Sequence, residues 1–225
     1  MIKKMFLKYF PEYSIKRSWH KRGHTYYAKK LDIVEKMMYD WLADLCLCEQ
    51  PKTILEYGCG HGYLLKNIEE RNKTDLNTEY YGIDYSQSQI ENAREYFPNG
   101  IFHEMDITNN KDLVQFEEKR FDVVIGVSIL MYIVNRQINA AISNLNDLCK
   151  NKIFLIEYCY EYLTDKTKRD YEESTAHDGR RIHDYEDLLY QNGFKNIHTF
   201  PIQYYHDTKI NINNAMPLTL VTGDK

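Results

Sequence analysis

The sequence predicts an α/β fold: a doubly wound, largely parallel sheet preceded by a basic, helical N-terminal arm. Three observations carry that expectation. From about residue 52 short apolar runs alternate with helical stretches, the pattern of strands and crossover helices covering both faces of one sheet. Gly58, Gly60 and Gly62 fall within five residues, between the first apolar run and the helical stretch after it. Mean hydropathy is −0.61, and no apolar run reaches the roughly 18 residues of a membrane-spanning helix.

Each element has its own signal. Residues 25–48 read as a helix, because Tyr27, Leu31, Val34, Met37/Met38, Trp41, Leu42 and Leu45 recur at spacings near three and four. Strands are expected at 53–57, 79–84, 100–104, 121–127 and 152–157, where short runs are rich in β-branched and aromatic residues. Helical stretches are expected near 62–71, 86–96, 110–118, 134–149 and 183–192. Ser86 followed by Gln89 has the spacing of a capping box at the start of the second. Residues 194–204 and 216–222 have no useful helix between them, so they are expected to pair antiparallel at one edge. The polar, charged connection at 158–182 is long enough to suggest a functional insertion. The expected organisation is an arm and cap helix over 1–49 and one domain over 50–225.

Composition narrows the function. At 225 residues the chain can bury a full core. Its five cysteines form no CxxC pair and no zinc-finger spacing, the usage of reduced thiols in a cytoplasmic protein. The opening MIKKMFLKYF is a poor secretory signal, because Lys8 interrupts its apolar stretch. Charge is unevenly spread. Residues 1–30 carry nine Lys/Arg against Glu12, a net +8, which leaves −12 on the rest of a chain whose total is −4.

The segment ILEYGCGHGYLL carries the most chemistry. A tight turn between strand and helix needs positive φ, and a ligand approaches backbone closely only where no Cβ intervenes. The spacing is GxGxG, and Tyr63 stands where a dinucleotide fingerprint would need its third glycine. Glu56, just before the turn, would repel a pyrophosphate and attract a cation. Asp84, 28 positions on at the end of the second strand, can accept both hydroxyls of a ribose. Asp106, after the third strand, can accept an adenine amino group.

With these residues in place the chain resembles the class I S-adenosylmethionine-dependent methyltransferases. The resemblance runs from about residue 50 to 222 through ILEYGCGHGYLL, YYGIDYS, FHEMDIT, FDVVIGVSILMYI and NGFKNIHTF. It implies a Rossmann-like, seven-stranded sheet of order 3-2-1-4-5-7-6 with an antiparallel last strand, and S-adenosylmethionine across the carboxyl ends of strands 1 to 4. It also places Glu56, Gly58, Gly60 and Gly62 around the methionine moiety, and Asp84 with Tyr85 at the ribose. Met105, Asp106 and Ile107 fall at the adenine, and Ser128 near the sulfonium. The NPPY-type motif of base amino methyltransferases is absent, as is a metal triad of the catechol type, so no metal is expected.

A hydroxyl acceptor needs a base as its oxygen is methylated. His183 and His177 are the first expectations, with Tyr132 and Glu157 also considered. His24, Tyr26, Tyr27 and Tyr158 are expected on the acceptor side. The basic arm suits a lid over a small anionic acceptor, such as a phosphorylated sugar or sugar nucleotide. Residues 1–10 could also lie on an anionic membrane surface, and Trp19, Tyr26 and Tyr27 could stack on nucleic acid. The acidic body opposes a long polyanion. The expected function is therefore O-methylation of a small polar molecule. The alternatives are a nucleic-acid methyltransferase guided by the arm and a non-catalytic S-adenosylmethionine-binding subunit.

Overall fold

A computed structural model describes residues 33–73, 77–116, 119–158, 181–202 and 218–225. All of the basic segment 1–30 and nearly all of the 158–182 insertion lie outside these residues. In chain order the elements are α1 (Ile33–Cys48), β1 (Thr53–Tyr57), α2 (Tyr63–Arg71), β2 (Glu79–Asp84), α3 (Gln87–Tyr96) and β3 (Ile101–Glu104). A 3₁₀ turn (Asn110–Phe116) leads to β4 (Phe121–Val127), and a second one (Leu130–Tyr132) to α4 (Asn135–Leu148). Then follow β5 (Cys149–Tyr158), α5 (Tyr185–Gln191), β6 (Lys195–Ile202) and β7 (Leu218–Asp224).

The seven strands form one sheet of order β3-β2-β1-β4-β5-β7-β6, the order the resemblance implies. Strands β1 to β5 run parallel, so the carboxyl ends of β1, β2, β4 and β5 open onto one edge. Strand β7 is antiparallel to both β5 and β6, as the helix-free tail predicts. It inserts between them, which leaves β6 on the outside.

Alternation along the strands separates two cores, because successive side chains point to opposite faces. Leu55 and Tyr57 of β1, Val124 of β4 and Ile153 and Leu155 of β5 face α4 and α5, where Ile142, Leu145 and Leu189 meet them. Ile54, Val123, Ile125, Phe154 and Ile156 face the other way, toward α1, α2 and α3. Met38, Leu42, Ala43 and Cys46 bury α1 in that second core. The last part of the expected cap helix is thus built into the body of the fold.

Three local expectations change in detail. The helical stretch near 110–118 is a 3₁₀ turn, held by an Asp112 N–H to Asn109 carbonyl bond (3.0 Å) and by the Asn109 side chain accepting from the Lys111 N–H (3.2 Å). Strand β5 begins at Cys149, three residues earlier than the apolar run, and pairs with β4 from Phe121 onward. Ser86 does stand at the N-cap of α3, but the capping box does not form. Its reciprocal bond would need the Ser86 N–H, which already donates to Asp84 Oδ1 (2.9 Å). Gln89 is buried instead.

Gly126, in the middle of β4, lies beneath the fully buried Tyr57 ring, and an added Cβ would fall inside that ring. A rigid aromatic between two sheet strands cannot move aside without displacing its neighbours. Gly126→Ala is therefore expected to lower unfolding free energy by about 1–3 kcal/mol, read as a lower urea midpoint with an unchanged slope.

Candidate active site

The glycine turn between β1 and α2 is bound to β2 at two points. The Cys59 N–H donates to the Ile83 carbonyl (3.0 Å), and the Gly60 N–H donates to Asp84 Oδ2 (3.1 Å). Gly58, Gly60 and Gly62 have φ of 64°, 53° and 79°, the left-handed region that a Cβ disfavours. Gly58 also meets a second requirement. A Cβ there would run into the Ile129 side chain, so the turn after β4 packs directly over the glycine backbone.

Glu56 precedes this turn and is 5% exposed. Burial drives its carboxyl well above the usual range, opposed by the Leu65 N–H in the first turn of α2 and reinforced by the charge of Asp84. Its Oε2 has no hydrogen-bond partner. A buried carboxylate oxygen left in that state is costly unless a donor or cation satisfies it. Asp84, half-buried at the end of β2, uses its two oxygens on the Gly60 and Ser86 N–H groups. Each carboxylate oxygen has a second lone pair, so ribose hydroxyls can still be accepted. Tyr85 follows it and is half-buried.

Asp106 stands two residues beyond β3, where its Oδ1 accepts from the Thr108 N–H (3.0 Å) and hydroxyl (2.8 Å). Its own N–H donates to Asp112 Oδ2 (3.0 Å). The flanking Met105 and Ile107 are buried in the core. Together these residues suit a cationic ligand carrying a ribose and a base: glycine backbone, a partnerless buried carboxylate oxygen and a second acid at the next strand end.

The turn after β4 has an unusual support. Ser128 has a left-handed φ of 57° and donates its N–H to the Ile156 carbonyl (2.7 Å). Glu157, at the carboxyl end of β5 and 0% exposed, accepts from the N–H groups of Ile129 and Leu130 on Oε1 (both 2.8 Å) and Met131 on Oε2 (3.3 Å). Burial lifts its carboxyl to about 7, and those three donors oppose the rise. From the other end of the turn, the Arg181 N–H donates to the Met131 carbonyl (2.6 Å). His183 Nε2 lies 3.0 Å from the Ile133 carbonyl and must donate to it, since a carbonyl only accepts. Burial holds its imidazole near 4, so it is neutral at pH 7.

The structure thus brings Glu56, Gly58, Gly60, Gly62, Asp84 and Ser128 to one edge of the sheet. It places His183 and Glu157, both expected as bases, under the turn at 129–133 with their polar atoms committed to its backbone. Tyr132 belongs to that turn and is half-buried. Tyr158 ends β5. His24, Tyr26, Tyr27 and His177 lie outside the described residues. Sequence reasoning missed Ile129, which covers Gly58, and the backbone N–H groups of 129–131. The signal was the apolar run ILM directly after Ser128, unusual for an exposed loop.

Comparison with known proteins agrees with this geometry. Residues 55–152 match the family model described as a methyltransferase domain. A protein of Invertebrate iridescent virus 6, 235L, named as a predicted methyltransferase, is 29% identical over 134 residues. The match covers 59% of this chain, which spans about half the length of that relative (46%). Among solved structures, magnesium protoporphyrin IX methyltransferase from Synechocystis PCC 6803 with bound S-adenosylmethionine superposes with a TM-score of 0.59 at 16% identity, covering 99% of this chain and 96% of its own. An O-methyltransferase family protein from Burkholderia thailandensis gives 0.63 at 15%, covering 85% and 56%. The CurJ carbon methyltransferase gives 0.62 at 17%, covering 98% and 69%. These likenesses establish the fold, which acceptors as different as oxygen and carbon share. Residues 55–152 are thus similar to a methyltransferase domain, and the sheet order is that of the Rossmann-like fold these solved methyltransferases share.

Proposed function

We propose that this chain transfers a methyl group from S-adenosylmethionine to a small, polar, anionic acceptor of the phosphorylated or sugar type, at oxygen. The observation that carries the cofactor half is the partnerless Oε2 of buried Glu56 beside a turn of three left-handed glycines. The acceptor half is supported by the +8 carried by residues 1–30 on a chain that is otherwise −12.

When bound, S-adenosylmethionine supplies an electrophilic methyl group on a cationic sulfonium. The chain's residues have positional work to do. Glu56, Gly58, Gly60 and Gly62 would hold the methionine moiety, where a negative carboxylate and close backbone approach suit a cation. Asp84 and Tyr85 would hold the ribose, and Met105, Asp106 and Ile107 the adenine. Ser128 and Ile129 would border the methyl-transfer side. Alignment of acceptor oxygen, methyl carbon and sulfur supplies much of the rate, because little freedom then remains to be lost. The acceptor proton would pass to Tyr132 or His177. Lys and Arg of the arm, with His24, Tyr26, Tyr27 and Tyr158, would take the anionic acceptor. The expected setting is the cytoplasm; among the described residues no helix is long and apolar enough to cross a membrane.

Two outcomes are expected. Calorimetry should show S-adenosylmethionine binding at micromolar strength. Asp84→Ala should weaken it about 10- to 100-fold, since a charged acceptor of backbone and ribose donors is worth about 1.5–3 kcal/mol. No heat from the unsubstituted chain would overturn the cofactor reading. Deleting residues 1–24 should cut turnover at least tenfold in a tritiated-methyl assay, while changing cofactor affinity less than twofold (the order expected when several phosphate contacts are lost). Equal losses in both measurements would count against the arm as an acceptor-binding segment.

A further inference from the structure

We propose that Glu157 is a positioning residue for methyl transfer, and that its carboxylate form is what sets the turn after β4 against the glycine turn. This rests on the reading of the site as an S-adenosylmethionine pocket. Three consecutive backbone N–H groups, of Ile129, Leu130 and Met131, converge on this one side chain. Ile129 in turn is the residue whose side chain lies over Gly58. One carboxylate therefore determines how closely the turn packs on the glycine backbone where the methionine moiety would lie.

The protonation state matters because of the donor count. Both oxygens of the ionised group are acceptors, which matches donors arriving at Oε1 and Oε2 together. A neutral carboxyl makes one oxygen an O–H group, which accepts from the N–H group facing it far more weakly than a carboxylate oxygen does. At 0% exposure water cannot replace the lost bond. Burial brings this ionisation to about 7, so the switch falls within an ordinary working range.

The groups facing Glu157 and its turn do not titrate there. Tyr57, on β1 beyond β4, has its phenol pushed well up by burial and stays neutral. His183 is neutral above about 4, and Arg181 beside it stays cationic. Thr219, its partner on β7, carries no charge. Glu56 also titrates high, but it projects to the opposite face of the sheet, toward α2.

Two pH dependences of opposite sign follow. In the free protein, the folded carboxyl binds its proton more tightly than the unfolded one. Stability from this group is therefore full below the unfolded value of 4.5 and is lost as pH rises through about 7. Cofactor affinity should move the other way, because only the ionised form holds the turn. With about one-tenth of the carboxyl ionised at pH 6 and nine-tenths at pH 8, affinity should rise about tenfold between them. A residue with only a structural role would show the first dependence without the second.

The test is calorimetric titration with S-adenosylmethionine at pH 6, 7 and 8, with thermal unfolding of the free protein at each pH, for the unsubstituted chain and Glu157→Gln. The expected result is affinity about tenfold tighter at pH 8 in the unsubstituted chain, with Tm falling over the same range. Glu157→Gln should show a flat affinity near the pH 6 value and a smaller Tm slope. Tight binding that does not vary from pH 6 to 8 in the unsubstituted chain overturns the proposal, whether or not Glu157→Gln folds. So does a Glu157→Gln protein that keeps the tenfold rise, which would assign it to another group such as Glu56. Absence of binding at every pH overturns the cofactor reading itself, and the proposal with it.

Discussion

The carboxylate of Asp84 is the joint on which the rest of this edge depends. A strand-to-helix turn with three left-handed residues sends its N–H groups away from the ordinary ladder, and buried donors must find acceptors. Asp84 answers from the adjacent strand, accepting from Gly60 across the sheet and from Ser86 at the start of α3. One side chain therefore closes the glycine turn, holds the N-cap residue of the next helix and faces the site. Its removal would disturb all three together, so effects on folding and on binding are coupled at this position.

A second layer of loop lies over the first and is held by different means. The turn from Ser128 to Ile133 contains a left-handed non-glycine residue, a conformation that costs about 1–2 kcal/mol. It persists because its polar groups are tied on both sides: N–H groups to Glu157, carbonyls to His183 and Arg181. Such a network is stable only when complete, since each unsatisfied buried group costs about 1–3 kcal/mol. The donors and acceptors come from β5 and from the segment before α5, so a distant part of the chain shapes the turn over Gly58. The geometry at the glycine turn is in this sense a property of the whole sheet.

Much of this was legible in the sequence. Strand positions followed from short apolar runs set between helical stretches, and the glycine turn from three glycines that only a tight, ligand-facing bend would require. Glu56, Asp84 and Ser128 could be placed at the sheet edge because strand ends in a parallel sheet share one side. Direction was harder to read. Glu157 and His183 are adjacent to the right loops, but whether they face an acceptor or the backbone depends on packing from α4 and β4, which no local pattern records. The capping box at Ser86 failed for a related reason: a residue outside the box, Asp84, had taken the N–H it needed. The 3₁₀ turn at 110–116 was read as an ordinary helix because periodicity alone does not register the Asn109 and Asp112 side-chain bonds that tighten it.

The place of β7 has a consequence for how the protein is made. During synthesis, β5 is complete some 60 residues before β7, its partner along Lys152–Tyr158, leaves the ribosome. Until then β5 presents an open hydrogen-bonding edge rich in Ile, Phe and Leu, the kind of surface that invites association with other chains. Strand β6 emerges in the interval and cannot relieve it, because in the finished sheet it pairs only with β7. The parallel half of the sheet can assemble as it appears. The antiparallel half must wait, and the nascent chain's exposure to aggregation or to chaperones is concentrated in that wait.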